Sequence, residues 1–231
     1  MTSAVTFDFG QVLAELDPHF LAAKLAERGF AASPERLDRA TAPGWLAYGA
    51  ALRAGGHGAG AGKTFLSTVL VEAGAAEAAT PETLDFLFAD QRPRNLWRRP
   101  VPGMIELARS LRARGVPVGV VSNSEGALEA LIAELGWSDA FLCVADSGAL
   151  GLEKPGRAIF DWAAARLSSS ARELVHIGDS FAADVEGAVG AGGRAIWFAQ
   201  ADGRPLDPTR VRAARDADET KAALLAFGIP A

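Results

Sequence analysis

The chain has 231 residues, 49% of them hydrophobic, and a formal net charge of -5. That is enough for one good-sized domain, or for a core with a smaller inserted domain, and it excludes a small fold held together by staples. With a composition close to the globular average and no charged tail, nucleic acid is not the expected partner. Cys143 is alone, so neither an internal disulfide, a zinc cluster nor a redox pair can be assembled, and it reads as a buried strand residue. Residues 1–8 lack the basic start and long apolar stretch of a signal peptide, and no run is long enough to cross a bilayer. The expected location is the cytoplasm, with no membrane partner.

In chain order, the first apolar run, residues 5–9, predicts a strand. Roughly a hundred residues then pass before the next one, where a simple crossover needs about a dozen or more. Helical patches at 20–28, 34–40, 45–53, 64–73 and 81–90 fill that gap. They predict an all-helical insert over residues 17–98 in a core made of residues 1–16 and 99–231. The exit from Arg92 to Pro100, rich in Arg and Pro, reads as an interdomain hinge. Beyond it Met104, Leu107, Ala108 and Leu111 share one helical face, and Leu128, Leu131, Ile132 and Leu135 share another. Gly115 and Gly136 follow these helices, where a left-handed closing residue is wanted. Strands are predicted at 116–121, 141–144, 174–177 and 195–198, with further helices at 158–167 and 220–227. Strands alternating with helices predict an α/β fold with a parallel sheet in three layers.

In such a sheet the reactive groups gather where strands end. Four segments place polar residues there. Asp8 closes the first strand, with Gly10 two residues on; an aspartate at such a place is usually a turn or cap residue, and chemistry is the alternative. Ser122 and Asn123 close the second, able to cap a helix or to donate to an anion held at its N-terminus. Lys154 stands directly before Pro155; it is either a solubilising surface lysine or a fixed cation for a phosphoryl group. Asp179 and Asp184 follow the strand at 174–177. Two acids so close are costly without a cation, and a hard divalent ion such as Mg²⁺ is the natural relief.

Taken in this order, the segments around Asp8, Ser122, Lys154 and the pair Asp179 and Asp184 resemble the four motifs of the haloacid dehalogenase (HAD) superfamily. The resemblance covers about residues 1–14 and 99–198, and the insert resembles the helical cap that many members carry. It implies a Rossmann-like core and a magnesium-dependent phosphatase acting on a small phosphorylated metabolite. Asp8 would be the nucleophile and Lys154 the phosphate clamp. Ser122 and Asn123 would hold the phosphoryl oxygens, and Asp8, the Gly10 carbonyl, Asp179 and Asp184 would form the metal site. One departure stands out. Family phosphatases carry a second aspartate two residues after the nucleophile, as general acid and base, and this chain has Gly10. Such a group is worth typically ~10² to 10⁴ in rate. Some family phosphatases resemble this chain in having glycine there, and good leaving groups, a cap side chain, or Gln11 with water could compensate. The alternatives are a 2-haloacid dehalogenase, whose halide leaves unprotonated but whose relatives do without the metal and usually lack the Asp179 carboxylate, and a weak or inactive phospholigand-binding protein. Neither substrate identity nor oligomeric state is readable.

Other signals carry blander readings. The run from His57 to Thr64 mimics a phosphate-binding loop, but no strand precedes it, and it reads as a flexible loop of the insert. His19, His57 and His176 are too scattered for a metal cluster, and His176 reads as packed within its strand. The five tryptophans read as core or interface anchors, with Trp45 and Tyr48 in the insert able to touch substrate. The arginines at 92, 94, 98 and 99 read as solvated hinge, and the tail beyond Phe198 as a polar run ending in a short packed helix.

Overall fold

The computed structural model describes residues 3–54, 58–89, 95–198 and 203–231. The chain divides into two compact units, Met1–Glu15 with Arg99–Ala231, and Leu16–Arg98. It opens with β1 (Ala4–Phe7) and β2 (Ala14–Leu16). Five helices follow: α1 (Pro18–Ala26), α2 (Pro34–Arg39), α3 (Thr41–Arg53), α4 (Gly58–Glu72) and α5 (Pro81–Ala89). After β3 (Trp97–Pro100) come α6 (Met104–Ala113), β4 (Val118–Ser122), α7 (Leu128–Glu134) and β5 (Cys143–Asp146). Then follow α8 (Ser147–Leu150), α9 (Arg157–Arg166), β6 (Leu174–Gly178), a π-helical turn at Phe181–Val185 and α10 (Glu186–Gly190). The chain closes with β7 (Arg194–Phe198), β8 (Val211–Ala214) and α11 (Ala217–Ala226).

In the larger unit six strands form one sheet in the order β5-β4-β1-β6-β7-β8, and each neighbouring pair is parallel. Every residue of β1, β4 and β6 is buried, as expected of central parallel strands covered on both faces. The helices present the faces that the sequence periodicity predicts: α6 buries Met104, Ile105, Leu107, Ala108 and Leu111, and α7 buries Leu128, Leu131 and Ile132. In α9, Ile159, Phe160, Ala163 and Ala164 join Val121, Leu174, Val185 and Trp197 in one apolar cluster. Gly115 and Gly136 take the left-handed conformation at φ 80° and 72°, where a Cβ would be strained. This is the parallel-sheet α/β fold that the strand–helix alternation predicts.

The smaller unit has its own apolar cluster, including Leu21, Leu25, Leu37, Phe65, Leu66, Val69 and Leu87. Its first two helices start where local chemistry dictates. Asp17 accepts from the backbone N–H groups of His19 and Phe20 ahead of Pro18, and Ser33 accepts from Arg36 ahead of Pro34, the combination of polar cap and proline that begins helices well. Gly44 in α3 lets α4 approach, because a Cβ there would lie 2.7 Å from Val69 Cγ2.

Two local expectations need correction, and a third gains detail. The glycine-rich run from Gly58 is the first turn and a half of α4 rather than a flexible loop; His57 itself lies outside the described residues. Burial overrides propensity there: Ala61 is inaccessible to solvent, and Gly62 fits against the Phe88 ring, which a Cβ would approach to 2.8 Å. The segment read as a hinge ends in a strand, since β3 pairs with β2; Arg92, Pro93 and Arg94 lie outside the described residues. Finally, the tail supplies β8, the sixth strand, paired with β7 through Ala195↔Val211 to Phe198↔Ala214. Its sequence, Val211-Arg212-Ala213-Ala214, is too short and mixed to announce an edge strand.

Candidate active site

The strand order places β1 between β4 and β6. From there the chain works outward through β5 on one side and through β7 and β8 on the other. Such a reversal opens a crevice at the carboxyl edge, and the strand-end groups meet there. Asp8 follows β1 and is 9% exposed, Ser122 ends β4 at 5%, and Lys154 is buried at 4%. Lys154 Nζ lies 2.8 Å from Asp8 Oδ1 and 2.6 Å from Asp184 Oδ1, and it donates to the Val121 carbonyl at 2.9 Å. Asp8, Lys154 and Asp184, far apart in the chain, thus come together, and carboxylate oxygens of Asp8, Asp179 and Asp184 lie within 4.8 Å of one another.

Local structure holds each group in place. Asp8 N–H donates to the Ile177 carbonyl at 2.8 Å, tying the end of β1 to β6. Asn123 is committed to scaffolding through its side chain: its Oδ1 accepts from Lys154 N–H at 2.8 Å and its Nδ2 donates to the Lys154 carbonyl at 3.0 Å. This two-point clasp fixes the backbone from which the lysine reaches inward. Asp184 folds back over β6, accepting from Ser180 N–H at 2.8 Å through Oδ2 and meeting His176 Nε2 at 3.0 Å through Oδ1. Gly178 permits this, since a Cβ there would overlap the Asp184 carboxylate. The glycine preceding Asp179 thus has a steric reason.

The electrostatics follow from three carboxylates facing one ammonium. Burial opposes the charge on Lys154, but Asp184 and Asp8 outweigh it and hold the ammonium above the ordinary lysine range. Burial likewise works against the Asp184 carboxylate, yet Lys154 and His176 pull it well below the usual value. Asp179 goes the other way: burial, then repulsion from Asp184 and Asp8, pushes it well above the ordinary carboxylate value. Part of its surface remains open. Asp8 Oδ1, although near Lys154, is a buried oxygen with no hydrogen bond of good geometry. A carboxylate oxygen held only by an ion pair, beside a second carboxylate that resists ionisation, suits a hard divalent cation. The residues present fit such an ion.

A model of the hydrolase family described as haloacid dehalogenase-like hydrolase matches residues 2–192. The chain belongs to that family. Among curated relatives, haloacid dehalogenase-like hydrolase domain-containing protein 3 from Mus musculus is 33% identical over 132 residues, 57% of this chain and 51% of that protein. Ribulose-1,5-bisphosphate 5-phosphatase from Halopiger xanaduensis is 32% identical over 123 residues, 52% of each chain. The match spans about half the length of these relatives. The crystal structure of YfnB from Bacillus subtilis superposes with a TM-score of 0.64 at 20% identity, covering 96% of this chain and 98% of that one. That likeness is one of fold.

Two supporting residues of this family member are not announced by its sequence. Asp146, 3% exposed at the end of β5, accepts from Gly126 and Gly148 N–H through Oδ1 and from Leu128 N–H through Oδ2, each at 3.0 Å. It thereby pins the loop that continues from Ser122 and Asn123. Trp197 donates its indole N–H to the Asp179 carbonyl at 2.9 Å. The only available signals were a strand-end aspartate and a strand tryptophan, each of which has common structural uses. Among the described residues no helix is long and apolar enough to cross a membrane.

Proposed function

We propose that this HAD-family protein is a magnesium-dependent hydrolase of a small phosphorylated metabolite, cleaving phosphomonoesters through an aspartyl-phosphate on Asp8. The observation that carries the reading is the buried Lys154 ammonium beside Asp8 Oδ1, at 2.8 Å, in one cluster with Asp179. A fixed cation next to a nucleophilic carboxylate suits an anionic phosphoryl group. The phosphatase name of the Halopiger relative supports the same class. Residues 1–16 and 99–231 form the catalytic core in this reading, and residues 17–98 are the cap.

Asp8, the Gly10 carbonyl and Asp179 would hold Mg²⁺, with Asp184 beside them. When bound, that ion offsets the repulsion between the Asp8 carboxylate and the phosphate. The chain's own residues perform the rest. A carboxylate oxygen of Asp8 attacks phosphorus in line while Lys154, Ser122 and the backbone at Asn123 hold the phosphoryl oxygens. The bond from phosphorus to the leaving oxygen breaks, and that oxygen keeps the electron pair and takes a proton from water, because Gly10 offers none. Water then attacks the phosphorus of the aspartyl-phosphate, and Asp8 returns as carboxylate with release of inorganic phosphate. The missing acid favours substrates with good leaving groups, such as sugar 1-phosphates or acyl phosphates.

Phosphate release from sugar, nucleotide and acyl phosphates, measured with magnesium and with chelator, tests this. Activity that disappears with chelator and in Asp8→Asn is expected; an Asp8→Asn protein releasing phosphate at the wild-type rate defeats the mechanism. The glycine at position 10 favours one second reading, a 2-haloacid dehalogenase, since a departing halide needs no proton. Halide liberation indifferent to chelator would establish it instead. Stabilisation by phosphorylated ligands without turnover would mark a binding protein.

A further inference from the structure

Behind the site lies a polar pair that the steps above do not use. Thr6 in β1 and His176 in β6 are register partners in the parallel sheet, and both are completely buried. Thr6 Oγ1 meets His176 Nδ1 at 3.0 Å, and His176 Nε2 meets Asp184 Oδ1 at 3.0 Å. The same Asp184 oxygen receives Lys154 Nζ at 2.6 Å. A continuous chain of contacts therefore runs from the sheet interior, through Thr6, His176, Asp184 and Lys154, to Asp8. The Phe160 ring packs edge-on against the imidazole, 5.3 Å between centroids at 79°, which leaves the ring little freedom to turn.

We propose that Thr6 and His176 are positioning residues for the reaction: the threonine hydroxyl orients the imidazole, and the imidazole Nε2–H holds the Asp184 carboxylate where it can steer Lys154 toward Asp8. This rests on the phosphatase reading of the site. The chemistry is specific. A carboxylate oxygen only accepts, so the hydrogen of this contact must sit on Nε2. A hydroxyl can both donate and accept, so Thr6 can complete Nδ1. Apolar residues at 6 and 176 would fill the sheet interior without the cost of burying polar atoms, but they would leave Asp184 held at Oδ1 by Lys154 alone. Groups that orient the ligands of a metal centre typically contribute about 10- to 100-fold to affinity or activity.

Four variants of the full chain test this with p-nitrophenyl phosphate and magnesium. Thr6→Val and His176→Leu delete the contacts at similar volume, whereas Thr6→Ser and His176→Gln keep a hydroxyl and a side-chain N–H donor. The first pair should lose about 10- to 100-fold in kcat at unchanged KM, alongside a modest fall in melting temperature from the polar partner left unpaired, and the second pair should stay close to wild type in both. Folded Thr6→Val and His176→Leu proteins with wild-type kcat overturn the inference, as do losses equally deep in the conservative pair. If His176→Leu does not fold, the two Thr6 variants decide. If the wild type releases no phosphate, the phosphatase reading falls, and the inference is judged by calorimetric titration with Mg²⁺ alone. Affinity should then drop by the same factor in His176→Leu and Thr6→Val but not in His176→Gln or Thr6→Ser, and equal affinity in all overturns it.

Discussion

The Lys154 ammonium stands between two carboxylates, 2.8 Å from Asp8 Oδ1 and 2.6 Å from Asp184 Oδ1, with only 2% of its side chain exposed. Deleting one member of a buried charge group leaves the others unpaired, which typically costs about 3–5 kcal/mol. Lys154→Met should therefore destabilise the protein by that order in denaturant titration, as well as removing activity. A wild-type denaturation midpoint would mean that water already screens the site. Cys143 makes a second, independent case. Burial, slightly offset by Arg166, raises its thiol from the usual 9.0 to about 11. The native state then keeps a proton that the unfolded chain loses between pH 9 and 11. Its contribution to stability is complete below pH 9 and is lost as pH rises through 11. Alkylation by iodoacetamide should be slow in the native protein at pH 8 and fast in denaturant, because only the thiolate reacts.

Among the elements, α4 is where sequence-level propensity and structure part company. Its first turns contain Gly58, Gly60 and Gly62, each unfavourable in a helix by roughly 0.5–1 kcal/mol relative to alanine. The helix forms nonetheless, because Phe65, Leu66, Val69 and Leu70 along it belong to the apolar cluster of the smaller unit. The two interior glycines are not equivalent. A Cβ at Gly60 meets nothing within 4 Å, whereas at Gly62 it would come within 2.8 Å of Phe88. Gly60→Ala should raise the melting temperature, corresponding to roughly 0.5–1 kcal/mol, while Gly62→Ala should gain less or lose stability as Phe88 is displaced. Equal gains from both substitutions would show that the Phe88 contact carries no constraint.

At the scale of the whole molecule, the two units each carry their own apolar cluster. All of the candidate site residues lie in the unit formed by Met1–Glu15 and Arg99–Ala231. A ligand that binds only the folded state stabilises it by mass action, about 2.7 kcal/mol at a hundredfold excess over its dissociation constant. Magnesium should thus raise the melting temperature and chelator should reverse the shift. Asp179→Asn should remove the magnesium response, and it should also melt higher than wild type without the ion, because it relieves repulsion among three clustered carboxylates. A wild-type-sized magnesium shift in Asp179→Asn, read by differential scanning calorimetry, would place the ion elsewhere.

By itself the sequence determined the elements whose signal is local. Apolar runs and 3.6-residue periodicity located the five main strands and the core helices to within a few residues, because each of these elements must bury its own apolar face. Polar residues just past those strands marked Asp8, Ser122 and Asp179 as candidates, and the lysine before Pro155 marked Lys154. Only the tertiary structure decided how those groups are used, since contacts between residues remote in the chain have no local signature. The amide of Asn123 clasps the backbone of Lys154, 31 residues later. Asp184 is held by a lysine, a histidine and a backbone N–H, and His176, packed as its strand position suggests, also carries a polar contact on each ring nitrogen. Likewise β8 exists through its pairing with β7, and α4 forms despite its glycines because Phe65, Leu66, Val69 and Leu70 along it pack into the apolar cluster of the smaller unit. In each case hydrogen bonding and packing across the fold outweighed what the nearest neighbours in sequence prefer.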